Sequence, residues 1–153
     1  MYLVDTNVLP AGAPTEAVAT PDLVAWMDRN SAGLYLSVIT VAEVEDGIAK
    51  NRRLGAHREA ERLSGWLRML LHLYDSRVLP IDLETARRIG SLADRARGLG
   101  QAPGLADLAI AATAQKHGYT ILTRNLRHFG SVGVPALDPF EALPADVAVS
   151  APR

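Results

Sequence analysis

Short apolar segments alternate along this chain with longer segments whose apolar residues recur at helical spacing. Strands that alternate with helices form a parallel sheet, because each helix returns the chain to the same end of the sheet. We therefore predict an α/β fold, a three-layer α/β/α sandwich around a mostly parallel sheet of four or five strands. The predicted strands are Tyr2–Val4, Leu34–Ile39, Arg77–Ile81, Tyr119–Thr123 and a weak fifth at Val134–Leu137.

The predicted helices have start signals and apolar faces. Thr20 followed by Pro21 predicts one helix start, and Asp82 predicts another as an N-cap residue. A leucine-rich stripe around Trp66 predicts an amphipathic helix that packs in the core or at a dimer surface. The predicted apolar faces are Leu23, Trp26 and Met27 in the first helix; Leu63, Trp66, Leu67, Leu70 and Leu71 in the leucine-rich helix; and Leu83, Ala86, Ile89, Ala93 and Ala96 in the helix after Asp82.

The length and composition predict a single globular domain. Of the 153 residues, 48% are hydrophobic and 22% are charged, which is typical of a folded chain rather than a disordered one. We assign residues 1–143 to this domain. The residues after Pro144 are mostly small or polar, which predicts a flexible C-terminal tail at 144–153.

The absence of cysteine excludes disulfides, zinc thiolates and a thiol nucleophile. No apolar run approaches the roughly 18 residues of a membrane span, and the N-terminus lacks signal-peptide features, so we expect a cytoplasmic protein. With a net charge of −1, the chain would have to bind nucleic acid through local patches or metal ions. The basic residues between Arg52 and Arg62 fit either a solvated helix face or a patch that contacts phosphate.

Four polar residues are predicted to meet at the carboxyl edge of the parallel sheet. Asp5 and Asn125 directly follow strands, while Glu43 and Asp107 lie in the first turns of helices that leave the same edge. Like charges cannot share a small site without a cation. The absence of cysteine and of a spaced histidine pair excludes an ordinary zinc site, whereas oxygen ligands favour Mg²⁺ or Mn²⁺. Such a cluster suits phosphodiester hydrolysis.

The acids and their neighbours also have simpler structural interpretations. Asp5 or Asn7 fits an Asx turn that caps the following segment. Thr40 and Glu43 have the spacing of a capping box, with Thr40 as the N-cap residue. Asp107 is favoured near a helix N-terminus by the macrodipole, whether or not it binds an ion. The residues alone leave both interpretations open.

Four blocks of sequence, in their order and spacing, resemble the PIN-domain proteins, and specifically the VapC toxin type. The blocks are Val4–Leu9, Ser37–Glu43 with Gly47, Asp107–Ala114, and Thr123–Phe129. The resemblance extends from Met1 to about Phe140. The family consists of magnesium- or manganese-dependent ribonucleases, usually inhibited by an antitoxin from the same operon. The resemblance therefore implies a metal-dependent endoribonuclease that is the toxin of a toxin–antitoxin pair.

The resemblance also implies roles for residues of the predicted site. It implies that Asp5, Glu43 and Asp107 hold Mg²⁺ or Mn²⁺, and that a water activated by the metal cleaves RNA to leave a 5′-phosphate and a 3′-hydroxyl. Asn125 is a further candidate catalytic residue, since it stands where many relatives carry a fourth acid. It also fits a simple cap for the turn that follows. No histidine is placed to act as general base.

Three further residues match positions that support the first acid. Thr6 and Asn7 correspond to positions that orient that acid or its waters, and Thr123 to a small hydroxyl residue of the site. By the same resemblance we expect a homodimer that binds a VapB-like antitoxin. The expected substrate is RNA with an accessible single strand or loop, such as a tRNA or rRNA. Pro10 departs from the family pattern and fixes the loop that leaves the first strand.

Three other functions compete with this interpretation. A haloacid-dehalogenase-type phosphatase also begins with a strand and an aspartate, but it needs a second aspartate where this chain has Asn7. A nucleotide-binding domain would have a glycine-rich turn after the first strand, and Thr6 to Val8 is not one. The third is a degenerate PIN module that only binds a partner. Asn125 leaves that alternative open, whereas the three acids favour an enzyme.

Overall fold

A parallel sheet of five strands lies at the centre of the residues that the computed structural model describes, 1–9 and 20–148. The strands are β1 Tyr2–Val4, β2 Leu34–Ser37, β3 Val78–Leu79, β4 Thr120–Leu122 and β5 Ala136–Leu137. Their spatial order is β3-β2-β1-β4-β5, so the first strand of the chain is the central strand of the sheet. The predicted parallel α/β sheet is confirmed.

Helices cover both faces of this sheet. They are α1 Pro21–Arg29, α2 Val38–Arg53, α3 His57–Tyr74, α4 Leu83–Gly98, α5 Leu105–His117 and the short α6 Leu126–Gly130. Side chains alternate between the two faces of a strand. Val4 and Leu122 therefore pack with α1, α2 and α3, whereas Leu3 and Ile121 pack with α4, α5 and α6. This arrangement is the predicted three-layer sandwich.

The second strand is shorter than predicted, and α2 begins earlier. Ser37 is the N-cap residue of α2, since its hydroxyl accepts a hydrogen bond of 3.1 Å from the Ile39 N–H. Val38 and Ile39, predicted as strand, therefore lie in the first turn of the helix. Thr40 lies inside the helix, and its buried hydroxyl has no hydrogen-bond partner among the described residues. The predicted capping box of Thr40 and Glu43 is therefore wrong.

The first strand, Tyr2–Val4, is as predicted, but the predicted third, fourth and fifth strands also extend too far. Arg77 lies in a 3₁₀ turn before β3, where its guanidinium donates to the carbonyl oxygens of Leu73 at 2.6 Å and Leu34 at 3.0 Å. These bonds anchor the turn to β2 and shorten β3. The predicted residues that lie outside the strands are Arg77, Pro80 and Ile81 beside β3, Tyr119 and Thr123 beside β4, and Val134 and Pro135 beside β5.

The predicted apolar faces of α1 and α3 are confirmed. The side chains that they contribute to one core are Leu23, Trp26 and Met27 from α1, and Leu63, Leu67 and Leu70 from α3, with Trp66 and Leu71 packed against them. The predicted face of α4 is partly wrong. Asp82 caps α4 as predicted and accepts from the Thr85 N–H at 2.9 Å, but the helix then turns Leu83 and Ala86 towards solvent. Its buried residues are Thr85, Leu92 and Ala96.

The first part of the C-terminal segment is docked onto the domain, so the predicted loose tail is wrong for residues 144–148. The buried Asn30 side chain donates to the Asp146 carboxylate at 2.8 Å and accepts from the Val147 N–H at 2.7 Å. The Tyr2 hydroxyl donates to the Ala145 carbonyl at 2.9 Å. A side chain with both a donor and an acceptor thus holds a segment that composition alone predicts to be loose.

The basic stretch between Arg52 and Arg62 lies at the junction of α2 and α3. Arg52 pairs with Glu61 at 3.3 Å and Arg62 pairs with Glu59 at 2.5 Å, all on exposed surface. This pairing favours the solvated-face interpretation. Pro10, residues 11–19 of the predicted first loop and residues 149–153 lie outside the described residues. Within the described ranges, no helix has the length and apolar character that a bilayer span requires.

Candidate active site

Asp5 is the first residue after the central strand, and only 6% of it is exposed. Its N–H continues the sheet by donating to the Leu122 carbonyl at 2.9 Å. One carboxylate oxygen, Oδ1, accepts from the Thr6 N–H at 2.8 Å and so caps the 3₁₀ turn that follows. The capping interpretation is therefore correct for one oxygen of Asp5. The other oxygen, Oδ2, accepts from the Thr123 hydroxyl at 2.7 Å.

Thr123 joins the loops that leave the two central strands. Its fully buried hydroxyl donates to Asp5 and accepts from Asn7 Nδ2 at 3.3 Å and from the Asn125 N–H at 3.0 Å. Asn7 completes the connection, because its Oδ1 accepts from the Arg124 N–H at 3.1 Å. These bonds hold the carboxylate of Asp5 in one orientation.

Glu43 reaches the same edge of the sheet from α2. Its Oε2 accepts a hydrogen bond of 2.5 Å from the hydroxyl of Thr6, the residue next to Asp5. Because α2 begins at Val38, this carboxylate has no capping role. A Cβ added at Gly47, one turn further along, would meet nothing within 4 Å among the described residues. The glycine therefore leaves that face of the helix open.

Asp107 lies in the first turn of α5, as predicted, and its partner was not predicted. Its Oδ2 lies 2.9 Å from Nδ1 of His128, a residue of α6. The side chain of Asp107 is 26% exposed and that of His128 is 52% exposed, so this pair lies at the mouth of the site. The sequence signal that locates His128 is its position one helical turn after Asn125.

Two other acids act electrostatically on Asp5. The pKa of Asp5 is raised to about 6, chiefly by burial and also by the negative charges of Glu43 and Asp107, against the lowering effect of hydrogen bonds from Thr123 and Thr6. An acid that is both buried and surrounded by like charges is the arrangement that a bound cation relieves. The negative charges of Glu43 and Asp107 thus act on Asp5, and the shared metal site remains a prediction.

Asn125 contributes its backbone to the site more than its side chain. It occupies the N-cap position of α6, but its side chain makes no capping hydrogen bond, so the simple cap interpretation is wrong. The exposed side chain borders a cleft of about 510 Å³. The other residues that line this cleft are Arg124, Leu126, Arg127, His128, Asp138 and Glu141.

The arrangement of the carboxylates bears directly on metal binding. As the side chains stand, no three His, Asp or Glu groups in the described ranges are positioned to hold one ion. Glu43 is bonded to Thr6, and Asp107 is paired with His128. The donor chemistry nevertheless fits a hard divalent cation, because the site offers carboxylate oxygens whose repulsion already perturbs Asp5.

Comparison with known proteins decides the family. Residues 2–134 match the family model described as PIN domain. The chain belongs to the PIN domain family. The match includes all four predicted site residues of this PIN domain and each block that carried the resemblance. The family and fold predicted from the sequence are therefore confirmed.

Similar proteins cover nearly the whole PIN domain chain. VapC ribonuclease Y4jK of Sinorhizobium fredii is 37% identical over 147 residues, which is 92% of this chain and 99% of the relative. Toxin FitB of Neisseria gonorrhoeae is 32% identical over 145 residues, with coverage of 92% and 99%. The crystal structure of FitAcB from Neisseria gonorrhoeae superposes with a TM-score of 0.76 at 32% identity, covering 92% of this chain and 99% of that one.

Proposed function

We propose that this PIN domain is a metal-dependent endoribonuclease and the toxin component of a toxin–antitoxin pair. The observation that carries the proposal is Asp5, whose pKa is raised by burial and also by the charges of Glu43 and Asp107 from two other elements. Acids gathered in this way favour a divalent cation. The similarity to proteins named as a VapC ribonuclease and a toxin supports the same activity.

In this proposal, Asp5, Glu43 and Asp107 hold Mg²⁺ or Mn²⁺. A divalent ion lowers the pKa of a nearby water and polarises a phosphoryl oxygen, which is the chemistry that phosphodiester hydrolysis needs. The chain's own contribution is orientation. Thr123 and the Thr6 N–H fix the two oxygens of Asp5, and the Thr6 hydroxyl directs Glu43 towards the same edge. Water adds at phosphorus and the bond to the 3′ oxygen breaks, leaving a 5′-phosphate and a 3′-hydroxyl.

The proposed substrate is an accessible single strand or loop of a structured RNA such as a tRNA or rRNA. The cleft beside Asn125 supports this, because Arg124 and Arg127 line it together with Asp138 and Glu141, and it adjoins His128, the partner of Asp107. Cationic side chains bind the RNA backbone, and an open cleft admits a splayed strand more readily than a duplex. The guanidinium of Arg124 lies 5.0 Å from the centre of the Phe140 ring, which holds one of these cations in place.

The proposed partners are a VapB-like antitoxin and a second copy of the chain, acting in the cytoplasm. The apolar surface of α3 supports an interface, since Met69 is 58% exposed and Leu73 is 61% exposed beside the half-buried Trp66. Light scattering at micromolar concentration tests the dimer, and a monomer contradicts it. Co-expression with the adjacent reading frame tests the antitoxin, and a product that does not co-purify contradicts it.

RNA cleavage in Mg²⁺ and in EDTA tests the central proposal. We expect cleavage only with the metal, 5′-phosphate ends on the products, and no cleavage by Asp5→Ala although its circular dichroism matches the native protein. Glu43→Gln preserves the side chain's shape and its ability to accept from Thr6, but it removes a charge. We expect weaker metal binding and slower cleavage from that variant. Full activity of a folded Asp5→Ala protein contradicts the proposal.

A catalytically weak or degenerate module that only binds a partner is the second candidate. It is favoured by two observations, namely that the described carboxylates are not arranged around one ion and that Asn125 adds no charge. The same assay separates the candidates. A native protein that binds its antitoxin but cleaves no RNA in Mg²⁺ or Mn²⁺ supports the binding module.

A further inference from the structure

The contact between His128 and Asp107 joins two elements at the mouth of the site. Nδ1 of His128 lies 2.9 Å from Oδ2 of Asp107, within hydrogen-bond distance. The position of the imidazole is set by α6, where the His128 N–H donates to the Asn125 carbonyl at 3.0 Å. The turn that carries Asn125 past the strand therefore also presents His128 to the acid.

This contact completes a pattern shared by the three acids. Asp5 accepts from Thr123 and from the Thr6 N–H, and Glu43 accepts from the Thr6 hydroxyl. Asp107 has the His128 imidazole in the corresponding place, and that contact uses Oδ2 alone. Carboxylates that bind metal are commonly held by such outer hydrogen bonds, which orient the remaining oxygen towards the ion.

We propose that His128 is a positioning residue that orients Asp107 for cation binding. The inference rests on the proposed metal-dependent function. It assigns His128 a hydrogen-bonding role through Nδ1, and it gives the imidazole no part as a base acting on RNA. The opposite role, a latch that keeps Asp107 away from the cation, predicts the opposite change in affinity when the imidazole is removed.

Three substitutions at one position separate these roles. His128→Ala removes the donor. His128→Asn keeps an N–H donor at nearly the distance of Nδ1 from the backbone, whereas His128→Gln places its amide one bond further out. His117→Ala is the matched control, because His117 is exposed at the far end of α5, against Tyr119 and away from the acids. All four variants are full chains and are compared with the native protein.

Mn²⁺ binding measured by calorimetry without RNA is the primary measurement. We expect His128→Ala and His128→Gln to bind Mn²⁺ roughly ten- to a hundredfold more weakly, the usual effect of losing an outer hydrogen bond to a ligand. His128→Asn and His117→Ala should bind like the native protein. RNA cleavage by His128→Ala should need correspondingly more Mg²⁺ and recover at saturation.

Three results overturn the inference. Native or tighter Mn²⁺ affinity in His128→Ala excludes a positioning role, and tighter affinity identifies a latch. An asparagine variant that is as weak as the alanine variant excludes the Nδ1 hydrogen bond. Absence of Mn²⁺ binding by the native protein also overturns the inference, because Asp107 then has no ion to bind. A native protein that binds Mn²⁺ and loses affinity in His128→Ala but cuts no RNA contradicts the nuclease proposal alone.

Discussion

The hydroxyl of Thr123 donates a hydrogen bond of 2.7 Å to Asp5, which lies 118 positions earlier in the chain. The acceptor sites of the same hydroxyl are used by Asn7 and by the Asn125 N–H. A hydroxyl has one proton and two acceptor sites, so these partners fix the direction of the bond. The carboxylate of Asp5 is therefore held by a hydroxyl whose proton and acceptor sites are all used in hydrogen bonds.

Replacing Thr123 tests this relationship. Thr123→Val keeps the shape of the side chain but leaves the Asn125 N–H and Asp5 Oδ2 without their buried partner, so we expect a loss of about 2 kcal/mol in the free energy of unfolding. The pKa of Asp5 should also rise, because this bond lowers it. Thr123→Ser keeps the hydroxyl and should retain most of the activity. Urea unfolding and RNA cleavage check both variants, and equal activity of valine and serine contradicts the role of the hydroxyl.

The raised pKa of Asp5 predicts an unusual dependence of stability on pH. In the unfolded chain Asp5 ionises near its ordinary pKa of 3.8, whereas in the fold it ionises at about 6. The folded state thus holds the proton more tightly, and the resulting stability, about 3 kcal/mol, is present below about pH 4 and is lost as the pH rises through about 6. Thermal unfolding in EDTA should show this loss in the native protein and not in Asp5→Ala. Parallel pH profiles for the two proteins contradict it.

Asn125→Asp tests whether the missing fourth charge limits metal binding. Two divalent ions carry four positive charges, while Asp5, Glu43 and Asp107 supply three negative ones. We expect the variant to reach half-maximal RNA cleavage at lower Mg²⁺ than the native protein does. The side chain of Asn125 makes no capping hydrogen bond, so the substitution removes no such bond. Superimposable Mg²⁺ titrations contradict the charge argument.

Gly33→Ala tests the docking of the C-terminal segment. A Cβ at Gly33 would lie 2.5 Å from both methyl groups of Val147, so Val147 must move away from its hydrogen bond with Asn30. We expect a loss of roughly 1–3 kcal/mol in the free energy of unfolding. Gly90→Ala is the control, because a Cβ in that part of α4 meets nothing within 4 Å and should stabilise the protein by up to about 1 kcal/mol. Equal effects of the two substitutions contradict the contact.

The sheet was predictable because each strand is a short apolar run with a turn or helix signal at its end. Element boundaries were less predictable where two signals overlap. Val38 and Ile39 are β-branched and favour a strand, but Ser37 caps a helix there, and packing decides in favour of the helix. The docked segment at 145–147 has no local signal at all. It depends on Asn30, more than a hundred residues away, being buried beside it.

The part of the site that could be predicted is the part that lies directly at the ends of strands. Asp5 and Thr123 follow paired strands, so the parallel register alone brings them together. The contact of Asp107 with His128 was not predicted, because it depends on how α6 is oriented against α5. The exposure of Leu83 was likewise not predicted, because Asp82 fixes where α4 begins but not which side of the helix packs against the core.

The central position of β1 has a consequence for the order of folding. Val4 lies opposite Leu122, so the first strand of the chain acquires its second neighbour only when a segment 118 residues later is in place. Contacts between such distant segments form slowly. A partly folded or partly synthesised chain lacks both the carbonyl that receives the Asp5 N–H and the hydroxyl that holds its carboxylate. Nuclease activity of the proposed kind would therefore appear late, with the complete fold, and the growing chain would be harmless until then.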